Sequence, residues 1–129
     1  DPSVYAHMLG DRLDKYDTKV YLVNTGWSGG AYGTGSRIKL RYTRAMVTAA
    51  LNGELEKSEY KYNEAFNLDV PQSCPGVPEE IMNPRDTWED KAAYDEAALK
   101  LAKMFHDNFS AKYPDMPENI ANAGPNLGK

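Results

Sequence analysis

Val23-Asn24-Thr25-Gly26-Trp27-Ser28-Gly29-Gly30-Ala31-Tyr32-Gly33-Thr34-Gly35-Ser36-Arg37-Ile38 holds five of the chain's ten glycines, embeds two aromatic side chains among them, and runs directly into a basic segment. Glycine at this density costs backbone entropy on folding and lets the main chain approach a ligand or another segment closely. Two readings are open for the loop: a surface of backbone N–H donors for an anion, or an aromatic-stapled loop that packs against a neighbouring domain. The Gly30-x-x-x-x-Gly35 spacing invites comparison with a phosphate-cradling P-loop. It fails twice, because Gly35 is followed by Ser36-Arg37 rather than Lys-Ser/Thr, and because the next residues do not read as a helix.

Working outward, Lys19-Val20-Tyr21-Leu22-Val23 is a short apolar run rich in β-branched and aromatic residues, which predicts a buried strand feeding the loop. After the loop, Arg37-Ile38-Lys39-Leu40-Arg41-Tyr42 alternates with period two and predicts a second strand with one apolar and one basic face. Thr43 is placed to cap a helix from Arg44 to about Asn52, with Gly53 just past its end. Arg37, Lys39, Arg41 and Arg44 put four positive charges and no acid into eight residues. That strip is either an anion-attracting patch, since Arg matches phosphate geometry through paired donors, or a solvated strand face.

Toward the N-terminus, Asp1 as cap and Pro2 at the first helical position open a helix with Tyr5, Met8, Leu9, Leu13 and Tyr16 at helical spacing, ending near Tyr16. Beyond Gly53, Tyr60-Lys61-Tyr62 reads as an edge strand and Phe66–Val70 as another. Pro71, Pro75, Pro78 and Pro84 make regular structure between them improbable and predict an extended crossing segment. Trp88 to about Tyr113 is the longest periodic stretch. Tyr94, Ala97, Ala98, Leu101, Phe105 and Phe109 form its apolar stripe, and its acids precede its bases as the helix dipole favours. The tail from Pro117 to Lys129 holds at most a short helix, Glu118 to Ala123. The fold class is α/β of the mixed α+β kind, short strands with about three helices in a single domain, residues 1–129.

Composition narrows the function. Apolar residues make up 41% and charged residues 26%, ordinary for a globular chain, and no apolar run approaches the roughly 20 residues that span a bilayer. With 15 basic against 19 acidic residues and a net charge of −4, overall electrostatics give no reason to propose nucleic acid or a membrane surface as a partner. The single Cys74 cannot build a disulfide framework and suits a reducing cytoplasm. The start at Asp1, without an initiator Met, suggests a piece of a longer chain. His7 and His106 lack companions at metal-site spacing, and no metal site is expected. Asp86, Glu89, Asp90, Asp95 and Glu96 are explained by the helix dipole. Cys74 reads as a loop thiol, and Trp27 and Trp88 as packing anchors. No nucleophile with an activating base emerges, so no catalytic residue is assigned in this chain.

The segments Tyr21–Gly30, Tyr32–Ile38 and Tyr42-Thr43-Arg44-Ala45-Met46 closely resemble the C-terminal region of ATP-dependent phosphoenolpyruvate carboxykinases. The resemblance continues through Ala50–Gly53, Phe66-Asn67-Leu68, Pro75-Gly76-Val77, Asn83-Pro84-Arg85, Leu101–Phe105, Asn108-Phe109 and Ala123-Gly124-Pro125. It implies a C-terminal part of a nucleotide-binding domain, from an enzyme that converts oxaloacetate and ATP to phosphoenolpyruvate, ADP and CO2 in gluconeogenesis with Mg²⁺ and Mn²⁺. It further implies that Arg37, Ile38 and Thr43 contact ATP on its adenine and ribose side. Arg37 would act through charge and planar stacking, Ile38 through backbone and side chain, and Thr43 through its hydroxyl. The family's P-loop lysine, metal ligands and substrate arginine are implied to lie upstream in the same polypeptide, so this segment alone is expected to be inactive. One departure is Ser36, where relatives commonly carry Lys. The alternative is an independent binding or scaffold module whose glycine loop docks a partner.

Overall fold

Asp1 and Pro2 start a helix as their chemistry dictates. In the computed structural model, which describes residues 1–127, α1 spans Pro2–Tyr16 and Asp1 Oδ1 accepts the Ser3 amide at 2.8 Å. It ends on Asp17 in the left-handed region (φ 47°), whose amide turns back to the Leu13 carbonyl. None of the residues of α1 is buried.

The predicted strand at Lys19–Val23 does not form. The segment is non-helical and unpaired, with Val20 63% and Leu22 80% exposed. The physical reason is that a strand exists only in a ladder, and among the described residues no strand lies beside this one. The glycine stretch itself is a tight antiparallel hairpin of β1 (Trp27–Ser28) and β2 (Ser36–Arg37), with Trp27 opposite Arg37 and Ser28 opposite Ser36.

The predicted strand Arg37–Tyr42 is also corrected: only Arg37 lies in β2, and α2 runs from Leu40 to Leu51. Thr43 is therefore inside the first turn of α2 rather than its cap, and Lys39 occupies the cap position without a side-chain hydrogen bond. Over six residues, period two and the start of a helix look alike. What decides is the longer register: Tyr42, Ala45, Met46 and Ala49 recur at i, i+3, i+4 and i+7. Ala49 is buried with Leu55, Cys74 and Val77, and Tyr42, Ala45 and Met46 pack around them. Gly53 follows the end of α2 at φ 69°, as its position predicts.

Strands β3 (Tyr60–Asn63) and β4 (Leu68–Pro71) pair antiparallel, with Tyr60 opposite Pro71 and Asn63 opposite Leu68. The proline segment is less irregular than expected. It forms short 3₁₀ turns at Glu79–Ile81, which Pro78 precedes in an extended conformation, and at Pro84–Thr87, where proline's fixed φ suits the first residue of the turn. Cys74 lies on the loop but is buried in the core, and burial pushes its thiol up, so it packs rather than reacts.

The long helix α3 is Lys91–Lys112. It starts at Lys91 rather than Trp88 because Asp90 caps it, its Oδ1 accepting from the Ala92 and Ala93 amides at 2.9 and 3.1 Å. Trp88, just outside, stacks edge-on against Tyr94 with centroids 5.7 Å apart. α4 is a single turn, Glu118–Ala121. The tail after it is strapped to the β3–β4 hairpin: Asn67 Nδ2 donates to the Ala123 carbonyl at 3.1 Å, and Asn126 Nδ2 to the Glu64 carbonyl at 3.0 Å. The part of the expected tail beyond Leu127 lies outside the described residues. Helices with two small antiparallel sheets make a mixed α/β fold, in agreement with the predicted class.

Candidate nucleotide-contact site

The site begins with the hairpin's geometry. Gly35 sits where an added Cβ would stand 2.6 Å from the Ser28 carbonyl, so only glycine lets the two arms close. The turn between them is held by the Gly35 amide on the Ala31 carbonyl at 2.8 Å. Trp27 meets Tyr32 edge-to-face at 5.3 Å across the loop. One residue past the ladder, the Ile38 amide donates to the Gly26 carbonyl at 2.9 Å. The hairpin thus fixes the backbone of Arg37 and Ile38.

The three residues expected to contact nucleotide follow one another from this hairpin into α2. Arg37 ends β2 with an exposed side chain. Ile38 is half-buried and borders an apolar cleft of about 840 Å³, whose walls include Tyr21, Trp27, Met46 and Tyr94. Thr43 is half-buried in the first turn of α2 and does not line that cleft. The Ile38 N–H is already used by Gly26, which leaves its carbonyl as the backbone group free to meet a ligand. Among the described residues the Arg37 guanidinium and the Thr43 hydroxyl are not tied into side-chain hydrogen bonds or ion pairs.

The basic strip is gathered at a helix start rather than spread along a strand face. Lys39 stands at the cap of α2 and Arg41 and Arg44 lie one turn apart on it, with Arg37 just before. Arg41 is committed locally: its Nη2 donates to the Tyr42 hydroxyl at 2.7 Å and its guanidinium stacks on the Tyr42 ring at 4.7 Å. That hydrogen bond holds the Tyr42 hydroxyl below its ordinary range. The first turn of α2 contains no acid and no side-chain cap. Cations at the positive end of a helix dipole are unfavourable for the helix itself. The same arrangement concentrates positive potential where an anionic ligand would be drawn.

The strand expected over Arg37–Tyr42 carries Arg37, Lys39 and Arg41, with Arg44 in the helix after it; the i, i+3, i+4, i+7 register from Tyr42 is the signal that puts Lys39 and Arg41 at the helix start as well. Among the described residues no group of three or more His, Cys, Asp or Glu side chains comes together to hold a metal, so no step is assigned to a metal here. Among the same residues no helix is long and apolar enough to cross a membrane.

The comparisons with known proteins agree with one another. The family pattern described as phosphoenolpyruvate carboxykinase matches residues 1–80. A protein named phosphoenolpyruvate carboxykinase (ATP) from Fusobacterium nucleatum is 70% identical over 125 residues, 97% of this chain and 24% of its own length. Proteins of the same name from Caldanaerobacter subterraneus and Flavobacterium johnsoniae are 61% and 59% identical, over 96% and 95% of this chain. The chain spans about a quarter of the length of these relatives, 24% and 22% for the latter two.

Proposed function

Since the chain belongs to the phosphoenolpyruvate carboxykinase family, we propose that it acts as the C-terminal part of a nucleotide-binding domain in a longer polypeptide of that activity. The reaction is the decarboxylation of oxaloacetate with phosphorylation of the resulting enolate by ATP, yielding phosphoenolpyruvate, CO2 and ADP. Residues 1–129 contribute one wall of the ATP site, on the adenine and ribose side, in a cytoplasmic enzyme. The phosphate-binding loop, the Mg²⁺ and Mn²⁺ ligands and the groups that bind oxaloacetate belong to the upstream part of the same polypeptide.

The observation that carries this reading is the start of α2: uncapped, without acids, and surrounded by Arg37, Lys39, Arg41 and Arg44 on a chain of net charge −4. A helix start arranged against its own stability supports a ligand role. Long-range attraction from these cations draws the polyanionic nucleotide. Arg37, whose guanidinium has no hydrogen-bond or ion-pair partner among the described residues, stacks on the base or reaches toward the phosphates. The Ile38 carbonyl is an acceptor suited to the exocyclic amine of adenine, where guanine would present an oxygen and be repelled. The Thr43 hydroxyl, projecting from the first helical turn, completes the base-side hydrogen bonding.

The test is steady-state kinetics of the full-length polypeptide. Arg37→Ala is expected to raise the Michaelis constant for ATP by about tenfold or more, the loss of a charged hydrogen bond, and Thr43→Val by a few-fold. In both, kcat stays close to wild type, because binding rather than transition-state contact is removed. An unchanged Michaelis constant for ATP in Arg37→Ala would refute the assignment. If the hairpin instead only docked a partner, as in the scaffold reading, neither variant would touch ATP kinetics.

A further inference from the structure

The glycine hairpin is not held by its own turn alone. Ser28 Oγ lies 3.1 Å from Thr87 Oγ1, a contact between residues 59 positions apart. Thr87 Oγ1 in turn donates to the Pro84 carbonyl at 2.7 Å. A hydroxyl carries one proton, so Thr87, having given its own to Pro84, accepts from Ser28 and the chain of bonds has one direction. The neighbouring backbone meets the same turn: Gly29 has φ 79°, and a Cβ there would sit 2.9 Å from the Thr87 carbonyl oxygen. Hairpin and turn therefore touch through side chain and main chain at once, with room for glycine only.

The turn that receives the hairpin, Pro84–Thr87, is fastened to the start of α3. Lys91 Nζ donates to the Asp86 and Trp88 carbonyls at 2.9 and 2.8 Å. Arg85 grips Asp95 on α3 through Nε and Nη2 at 2.8 and 2.9 Å. On the other side, Ser28 pairs with Ser36 across the ladder, immediately before Arg37. A displacement of Ser28 is thus passed through one rung to Arg37 and Ile38, while α3 supplies the fixed end.

We propose that Ser28 and Thr87 form a positioning latch that ties the nucleotide-contacting hairpin to the start of α3, and that Gly29 is required for the latch to close. The latch rests on the nucleotide role given to Arg37 and Ile38. It touches neither substrate nor nucleotide. Its part is to hold Arg37 and Ile38 in the orientation that receives ATP, so that binding does not have to order a loose loop.

The experiment uses the full-length polypeptide with Ser28→Ala, Thr87→Val, their double variant, Thr87→Ser and Arg37→Ala. Ser28→Ala raises the Michaelis constant for ATP about fivefold, the loss of one hydrogen bond, and Thr87→Val raises it by at least as much, since it also gives up the bond to the Pro84 carbonyl. They leave kcat and the Michaelis constant for oxaloacetate within about twofold of wild type. The double variant is no worse than Thr87→Val alone, which already removes the Ser28 bond together with the one to the Pro84 carbonyl. Thr87→Ser, which restores the hydroxyl, returns ATP binding toward wild type. Amide hydrogen exchange of the nucleotide-free polypeptide gives a second readout independent of turnover: Ser28→Ala speeds exchange at 28–38 while α3 keeps its protection. Additive effects in the double variant, equal changes for both substrates, or unchanged exchange in the hairpin would each overturn the latch. If Arg37→Ala raises the Michaelis constant for ATP and the latch variants do not, the latch alone is wrong. If Arg37→Ala also has no effect, the nucleotide reading fails and the positioning role falls with it.

Discussion

Arg85 and Asp95 illustrate what a single pair does in this molecule. The two parallel bonds between them are short, yet both side chains are about half exposed, 45% and 53%, so water and salt weaken their attraction. The Arg85 hydrogen bonds hold the Asp95 carboxyl below its ordinary range. The unfolded chain therefore takes up a proton at a higher pH than the folded one. The pair's contribution is present above the ordinary aspartate range and is lost as pH falls through the lowered folded value. Thermal unfolding of wild type and Asp95→Asn, compared near pH 7 and near pH 3, should show a gap at the higher pH that narrows at the lower one. A gap unchanged with pH would mean that the pair works through packing alone. Nothing in the sequence announces this pair, since a ten-residue separation matches neither helical nor strand spacing. The Ser28–Thr87 contact is hidden for the same reason, more strongly.

Among elements, the helices differ in how their starts are treated, and the difference is informative. α1 and α3 begin with Asp1 and Asp90 side chains accepting from their first-turn amides. α2 begins with Lys39 and no cap. Replacing Lys39 with Asp adds a cap and an acid at the positive end of the dipole, and should stabilise the helix by about 1 kcal/mol. The same change reverses a charge beside Arg37, so it should raise the Michaelis constant for ATP while raising the unfolding midpoint. Greater stability with unaltered ATP kinetics would show that the basic start of α2 does not serve an anion. Elements with strong local signals, such as α1 with its Asp-Pro start and the separate strands β3 and β4, are legible from the residues, whereas the pairing of those two strands, and the turn that takes Phe66 and Asn67 out of the second, is not. Lys19–Val23 was not, because the apolar run predicts a strand correctly only if a partner strand is at hand. Arg37–Tyr42 failed because six residues of alternation cannot be told from the first turn and a half of a helix. Arg37, Ile38 and Thr43 came from resemblance to a family rather than from any pattern of their own; the structure adds that they leave one hairpin and enter one helix.

At the scale of the whole chain, the core is small and the apolar surface large. Ala49, Leu55, Cys74 and Val77 are the buried centre beside α2, and α3 buries Ala98 and Ala102. Val20, Leu22, Leu51, Met104 and Phe105 remain exposed. Each large apolar side chain left in water forgoes roughly 1.5–3 kcal/mol that burial would return. The apolar stripe read along α3 is there, but Leu101 and Phe105 of that stripe stay uncovered among the described residues. That balance agrees with a chain spanning about a quarter of its relatives' length, 24% for the protein from Fusobacterium nucleatum, and with the proposal that the upstream polypeptide supplies the rest of the site. In the proposed role, the hairpin and the start of α2 face the adenine of ATP. Photolabelling the full-length polypeptide with an ATP analogue bearing an azide on the adenine ring, followed by peptide mapping, tests it most directly. Adducts between Gly26 and Arg44 that excess ATP suppresses are expected; suppressible adducts found only outside that stretch would contradict the adenine-side placement.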